Sequence, residues 1–474
     1  MHKSPDSVKL AFAAFSVLIS LAFFLLVLGA ALPAVAKFAL SVIAIAACGL
    51  TLTLVFKLDG WGGFFLLKSR KGLDFLDKVA KKYPKVWQAL AEMGLVIGYG
   101  SLAHFLMEKG KRSWKHFALV YGVGTVLLVV FSTIIAPLAV SSLLSLLTGG
   151  AEFATAGAKV QASVSQFELA KYAFFVLLVL GGIAVTTTAS VVIFAVTVAS
   201  ALMSAVLGNA SALVNTSPGG VPILPGINLP FAEGIAALVV VLAVHEAMHG
   251  ILARRHGLPL KSAGLAFFGF IPVGAFVDID EKKLFKAKKE VQNAVFVAGT
   301  TANFATCLIF IMLLIAAIAI TAPLRVDGVI VESGQGIPSG AKITEINGKE
   351  VSTLLSLKLK PYTTYEIKTD EGVYQKKTDE KGKLGITYAV ADKSGNFGVI
   401  KYAKGFEWIP SLIRFLVLTF ALNFIVAAMN LVPLPLFDGY HIMRNGVKNE
   451  TAQKAIIYLI SIAFLLTLLP WLFK

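Results

Sequence analysis

The chain has 474 residues, 57% of them hydrophobic and only 15% charged, with a mean hydropathy of +0.79. So apolar a composition excludes a water-soluble globular enzyme or a disordered regulator and implies a polytopic α-helical membrane protein. The net charge of +16 does not point to nucleic acid, because the basic residues gather in loops beside apolar runs, where anionic lipid and the positive-inside bias account for them.

Apolar runs long enough to cross a bilayer as helices occur near residues 10–31, 34–56, 117–147, 172–207, 230–253, 291–322, 407–430 and 452–473, with a weaker one near 88–107. Ala34-Val35-Ala36 has the small-residue form of a signal-peptidase site. The run before it is longer than a usual signal core, so a retained helix is expected. Lys68, Arg70, Lys71, Lys78, Lys81 and Lys82 mark 57–87 as a cytoplasmic loop, with Asp74 and Asp77 among them on a basic amphipathic surface helix. Residues 208–229, rich in Gly, Pro, Asn and Ser, read as an extracytoplasmic linker. Residues 1–229 thus form a multi-span extension with no catalytic spacing of its own.

His245, Glu246 and His249 spell HEAMH inside the run 231–253. On a helix the two histidines share one face and can reach one metal, while Glu246 can serve as general base toward a metal-activated water. Ionisable groups at this depth are costly and mark function. Eight basic residues between 253 and 290, from Arg254 to Lys289, make that loop cytoplasmic, so the HEAMH helix runs outside to inside and the polar segment 323–405 lies outside. Gly264–Asp278 is glycine-rich, aromatic and too short to span, which suits a β-hairpin dipping beside the metal, with an edge to which an unwound peptide could add as a strand.

A catalytic zinc site needs a third protein ligand. After the run 407–430 comes Asn430-Leu431-Val432-Pro433-Leu434-Pro435-Leu436-Phe437-Asp438-Gly439, where two prolines break the helix and leave Asp438 on irregular backbone. His441 and His256 are rival ligands, as are Glu281 and Glu290 in the lysine-rich loop. Two histidines and one carboxylate suit zinc best.

HExxH in an apolar helix, a later Asn-x-x-Pro-x-Pro-x-x-Asp-Gly and a polar domain between them resemble the site-2 protease family of intramembrane zinc metalloproteases, peptidase M50. Gly299-Thr300-Thr301-Ala302-Asn303 resembles that family's Gly-x-x-x-Asn, and GFIPVGAFV its membrane-embedded hairpin; the likeness covers residues 230–473. The resemblance implies that His245, His249 and Asp438 ligate zinc and that Glu246 is the base. It further implies that Asn430 and Asn303 position the substrate strand or stabilise the oxyanion, and that the substrates are transmembrane helices. Read from the residues alone, Asn303 is a helix–helix hydrogen-bonding group.

In the segment 323–405, Gly328–Val331 and Lys342–Ile346 read as strands and Asn347-Gly348 as a hairpin turn. Ser339–Lys349 resembles part of a PDZ domain, with no clear carboxylate-binding loop, so peptide capture and size filtering both fit. The expected organisation is therefore an extension (1–229), a first core part (230–322), a PDZ-like extracytoplasmic domain (323–405) and a second core part (406–474). The expected function is intramembrane zinc proteolysis of membrane-anchored substrates, in the cell membrane, with membrane lipid as partner and the site near the cytoplasmic side. Alternatives are a zinc protease of the prenyl-protein processing type, completed by a glutamate, or an inactive membrane scaffold.

Overall fold

The computed structural model describes residues 7–147 apart from 33 and 108–112, residues 168–216 apart from 210, residues 219–220, 225 and 229–473 apart from 327, 335, 352–358, 392–400 and 404. They divide into two compact units, one of residues 1–311 and 415–474, the other of residues 312–414. Among the described residues nine helices are long and apolar enough to cross a membrane, the weak run near 88–107 included. The protein is a polytopic helical membrane protein.

The first unit opens with two apolar helices, α1 (Ser7–Gly29) and α2 (Ala34–Phe56), followed by short strands β1 (Asp59–Trp61) and β2 (Phe64–Lys68). Helix α3 (Arg70–Lys82) starts where the Ser69 side chain accepts the Gly72 N–H, and buries Leu76 and Ala80. Helix α4 (Pro84–Tyr99) begins on a proline whose missing N–H costs nothing in a first turn. Two glycines set it close to its neighbours. A Cβ on Gly94 would stand 1.8 Å from Thr301 Oγ1, and one on Gly98 3.1 Å from Leu431 Cδ2. Two further spans complete the extension: α5 (Trp114–Leu144), and α6 (Glu168–Val206), which is interrupted at Gly182 with φ of 64°. Most of the glycine- and proline-rich stretch 208–229 lies outside the described residues.

Helix α7 (Phe231–Arg255) carries HEAMH and leads into an antiparallel pair, β3 (Leu260–Phe268) and β4 (Ile271–Ile279), turned at Gly269 with φ of +59°. The hairpin expected from 264–278 is half of a larger structure, because β2 pairs with β3 to give a four-stranded sheet in the order β1-β2-β3-β4. The segment 57–87, expected as loop and surface helix, thus supplies two strands. Stacking of Phe64 on Phe268 and of Phe65 on Phe267, at centroid distances of 4.4 and 5.4 Å, zips the non-local pair. Helix α7 lies against β4 through small residues: a Cβ on Gly250 would touch Val277 Cγ1 at 3.1 Å, and one on Gly274 would touch Leu242. At the foot of α7 the Arg254 guanidinium makes a two-pronged bond to Asp77 of α3, with Nη2 2.9 Å from Oδ2.

After the short helix α8 (Glu281–Lys286), helix α9 (Lys289–Thr321) runs through the core, and α10 (Ile409–Asn430), α11 (Asp438–Gly446) and α12 (Glu450–Leu468) close the chain. Fully buried Leu252, Val297 and Leu418 join α7, α9 and α10 in one apolar core.

In the second unit, β6 (Gly328–Gly334), β7 (Lys342–Ile346), β8 (Lys349–Glu350), β9 (Thr364–Thr369), β10 (Gly372–Lys377) and β11 (Ile386–Ala391) form an antiparallel sheet in the order β10-β9-β7-β6-β11, with β8 on β7. A separate pair joins β5 (Arg325–Val326) to β12 (Lys401–Tyr402). The Asn347-Gly348 turn has positive φ at both residues, 48° and 73°, as a tight hairpin requires. Val329, Val331, Ile343 and Ile367 fill its core.

Candidate metal centre

The helical repeat sets His245 and His249 one turn apart on a single face of α7, and both are buried. Their Nε2 atoms lie 3.1 Å apart. Asp438 reaches them from the other end of the fold's second half. Helix α10 stops at Asn430, and residues 431–437 turn through short bonds from Val432 N to Met429 O and from Leu434 N to Val432 O. Two prolines with no N–H to give keep that turn from becoming helix. Gly439 is required because a Cβ there would stand 2.2 Å from Leu431 O. The result places Asp438 Oδ2 3.4 Å from His245 Nε2 and 3.3 Å from His249 Nε2.

These three edges can be compared with what a metal demands. An ion holding ligands tetrahedrally at roughly 2.0–2.1 Å sets the ligand atoms roughly 3.3 Å apart, and the observed edges of 3.1, 3.3 and 3.4 Å match. Asp438 Oδ2 is buried yet accepts no hydrogen bond, which suits an oxygen meant for a cation. Among the described residues His245, His249 and Asp438 are the group whose ligand atoms all lie within 4.8 Å of one another. The rivals go elsewhere: His441 stacks on Phe296 at 4.5 Å, His256 follows the last turn of α7, and neither Glu281 nor Glu290 joins the group.

The ring orientations fit as well. His249 Nδ1 donates to Val295 O at 2.7 Å, which holds the proton on Nδ1 and leaves Nε2 a lone pair for a metal. The amide of Asn303, on α9 and fully buried, stands 3.2 Å from His245 Nδ1. Its Oδ1 is buried without a partner. A half-turn of the amide about its terminal bond lets Oδ1 accept from Nδ1–H, which satisfies both groups and leaves Nε2 of His245 for the ion. Asn303 thus stands against the Nδ1 side of the His245 ring. Asn430 stands on the ligand side, with Nδ2 3.2 Å from His245 Nε2. Glu246, one residue along α7, accepts the Val277 N–H of β4 through Oε2 at 3.1 Å.

The sequence shows Gly299 only as the first residue of a Gly-x-x-x-Asn resemblance, with no role of its own. A Cβ there would lie 2.4 Å from His245 Nε2 and 2.5 Å from His249 Nε2, so the bare backbone of α9 forms the floor beneath both imidazoles. The Gly-x-x-x-Asn spacing carried the signal: Gly299 and Asn303 sit one turn apart and both face His245.

Two imidazoles and a carboxylate converge inside a bundle of membrane-spanning helices, with a second carboxylate beside them, and together they define a candidate metal centre in a membrane protein. Residues 233–468 belong to peptidase family M50, whose model they match. An uncharacterized protein of Methanocaldococcus jannaschii is 31% identical over 224 residues, 45% of this chain and 57% of that protein. The chain thus spans little more than half the length of this curated relative.

Proposed function

We propose that this protein is an intramembrane zinc metalloprotease of site-2 type, hydrolysing peptide bonds within or near the transmembrane helices of membrane-anchored substrates. The observation that carries this reading is the convergence of His245, His249 and Asp438 to ligand spacing next to Glu246. When bound, zinc supplies Lewis acidity toward a water and a scissile carbonyl. Glu246 takes the proton of the attacking water as the C–O bond forms, and delivers it to the amine nitrogen as the C–N bond breaks, leaving a carboxylate and an amine. The Asn430 amide donates toward the carbonyl oxygen as charge builds on it. His249 and His245 are held in the ligating tautomer by Val295 O and Asn303.

The reading extends to the cell membrane as location, with the site toward the cytoplasmic side as the basic loop 253–290 suggests, and to regulated cleavage of substrates whose bulk the PDZ-like segment filters or captures. The prenyl-protein processing alternative lacks support, since no glutamate joins the ligand group among the described residues.

The test is mass-spectrometric mapping of cuts in a model transmembrane substrate by the purified, zinc-loaded protein against Glu246→Gln. A cut inside the apolar span, lost in the variant, is expected. Cuts confined to flanking soluble sequence, or no cut in several helix-destabilised substrates, would sink the proposal.

A further inference from the structure

His245 and His249 stand on a helix of 25 residues, whereas Asp438 begins a helix of only 9, α11, that follows a loop with two prolines. So short a helix has little of its own to fix how far Asp438 reaches toward the imidazoles. Its place is set by α9, through three rungs. At the first, Asp438 meets the two imidazoles that rest on Gly299. One turn on, His441 stacks on Phe296 at a centroid distance of 4.5 Å and an interplanar angle of 12°. A further turn on, Asn445 Nδ2 donates to Asn293 Oδ1 at 2.8 Å and to Gln292 Oε1 at 3.3 Å. Positions 438, 441 and 445 share one face of α11, and 299, 296 and 292 share one face of α9, so the two helices run antiparallel along the ladder.

The last rung is the polar one, and backbone carbonyls fix which way its amides point. Asn293 is 2% exposed, and its Nδ2 donates to Leu106 O at 3.0 Å, which directs Oδ1 to Asn445. Gln292 Nε2 donates to Ala287 O at 2.9 Å and to Phe285 O at 3.2 Å, which directs Oε1 the same way. Lys289 Nζ donates to Asn445 O at 3.1 Å, a positive charge at the C-terminal end of α11. A slip of α11 by one residue would break both bonds from Asn445 and strand two buried amide oxygens, a cost that holds the register. Leu106 belongs to the extension, outside the family match of 233–468.

We infer that Asn445 and its partner Asn293 are positioning residues of the metal centre, holding α11 in the register that sets Asp438 at ligand distance from His245 and His249. The role rests on the metal reading above. A ligand is only as well placed as the element that carries it, and about 1 Å of slack takes it out of range of an ion. The extension takes part through one carbonyl, that of Leu106, which orients Asn293 from outside the family segment.

The experiment uses the full chain in detergent, stripped with a chelator and titrated with zinc against a competing dye, at a temperature where every form is folded. The forms are the wild type, Asn445→Leu, Asp438→Ala and the double variant, and the melting temperature of each is read without metal. Asn445→Leu is expected to lose roughly 10-fold in zinc affinity, and Asp438→Ala more. In the Asp438→Ala background Asn445→Leu is expected to cost nothing further, because the ligand through which it acts is gone. A loss of equal size in both backgrounds overturns the inference, since the change would then loosen the site as a whole. An unchanged zinc affinity with a lower metal-free melting temperature overturns it too, as the contact would be structural. If Asn445→Leu does not fold, Asn445→Ser, which shortens the side chain and adds no apolar surface, goes through the same cycle with the same expected result. A wild type that takes up no zinc overturns the metal reading itself and this role with it.

Discussion

Helices α1 and α4 can both cross a membrane, yet their surroundings are opposite. The apolar window of α4 is 61% buried against protein and that of α1 only 17%, with Leu18 and Leu26 of α1 turned outward at 64% and 72% exposure. Helix α4 is the least hydropathic of the nine spans and carries a buried carboxylate, Glu92, with His116 Nε2 2.7 Å from it. A span's apolarity measures how much lipid it meets, not how central it is. The least apolar span is the one packed closely on Thr301 of α9 and on Leu431, just past the end of α10.

The comparison breaks most easily at the glycines. Gly94→Leu should destabilise the protein by about 3 kcal/mol through overpacking against Thr301, whereas Leu26→Ala on α1 should stay within about 0.5 kcal/mol, both read by denaturant titration in one detergent. Equal effects would abolish the distinction between the two helices. Gly299→Ala pushes a methyl group against both imidazoles and should weaken metal binding roughly 100-fold, about 2.7 kcal/mol, measured as zinc retained after dialysis. Asn303→Leu removes the partner of His245 Nδ1 and should cost roughly 10-fold in zinc affinity. Unchanged affinity with slower cleavage would return Asn303 to the substrate-binding role that its motif suggests.

The smallest effect lies at the end of α7. Burial, and then the Arg255 guanidinium, pull the His256 imidazole down from 6.5 to about 4. The unfolded chain takes up this proton first, so the stability tied to a neutral His256 is complete above pH 6.5 and is lost as pH falls from 6.5 to about 4. With part of the ring exposed, that loss should be on the order of 1 kcal/mol, visible as a gentler acid slope of melting temperature in His256→Gln.

The spans were legible because a bilayer imposes a length and an apolarity that the sequence must meet locally. HEAMH and the Asn430–Gly439 segment were legible because metal ligation restricts residue type and spacing. Strands β1 and β2 were not, since Phe64–Lys68 is five residues long and its partner, Gly264–Phe268, lies some two hundred positions away. What Gly299 does was silent for a related reason, although its Gly-x-x-x-Asn motif was visible. A glycine in an apolar helix is ordinary, and only packing shows that this one floors two histidines.

Strand β4 ends the four-stranded sheet, so its outward N–H groups have no partner strand. Ala263 gives its carbonyl to Ser69 N at 2.7 Å, away from β4, which makes 263 and 277 a non-bonded pair and turns the Val277 N–H out from the free edge. That outward group is the one Glu246 holds. Under the proposed function, a peptide laid along the edge and the Glu246 carboxylate compete for a single donor. By linkage, whatever occupies position 277 loosens Glu246, and whatever captures Glu246 leaves 277 vacant. Under the proposed function, Glu246 is tethered to the sheet edge until a strand arrives there.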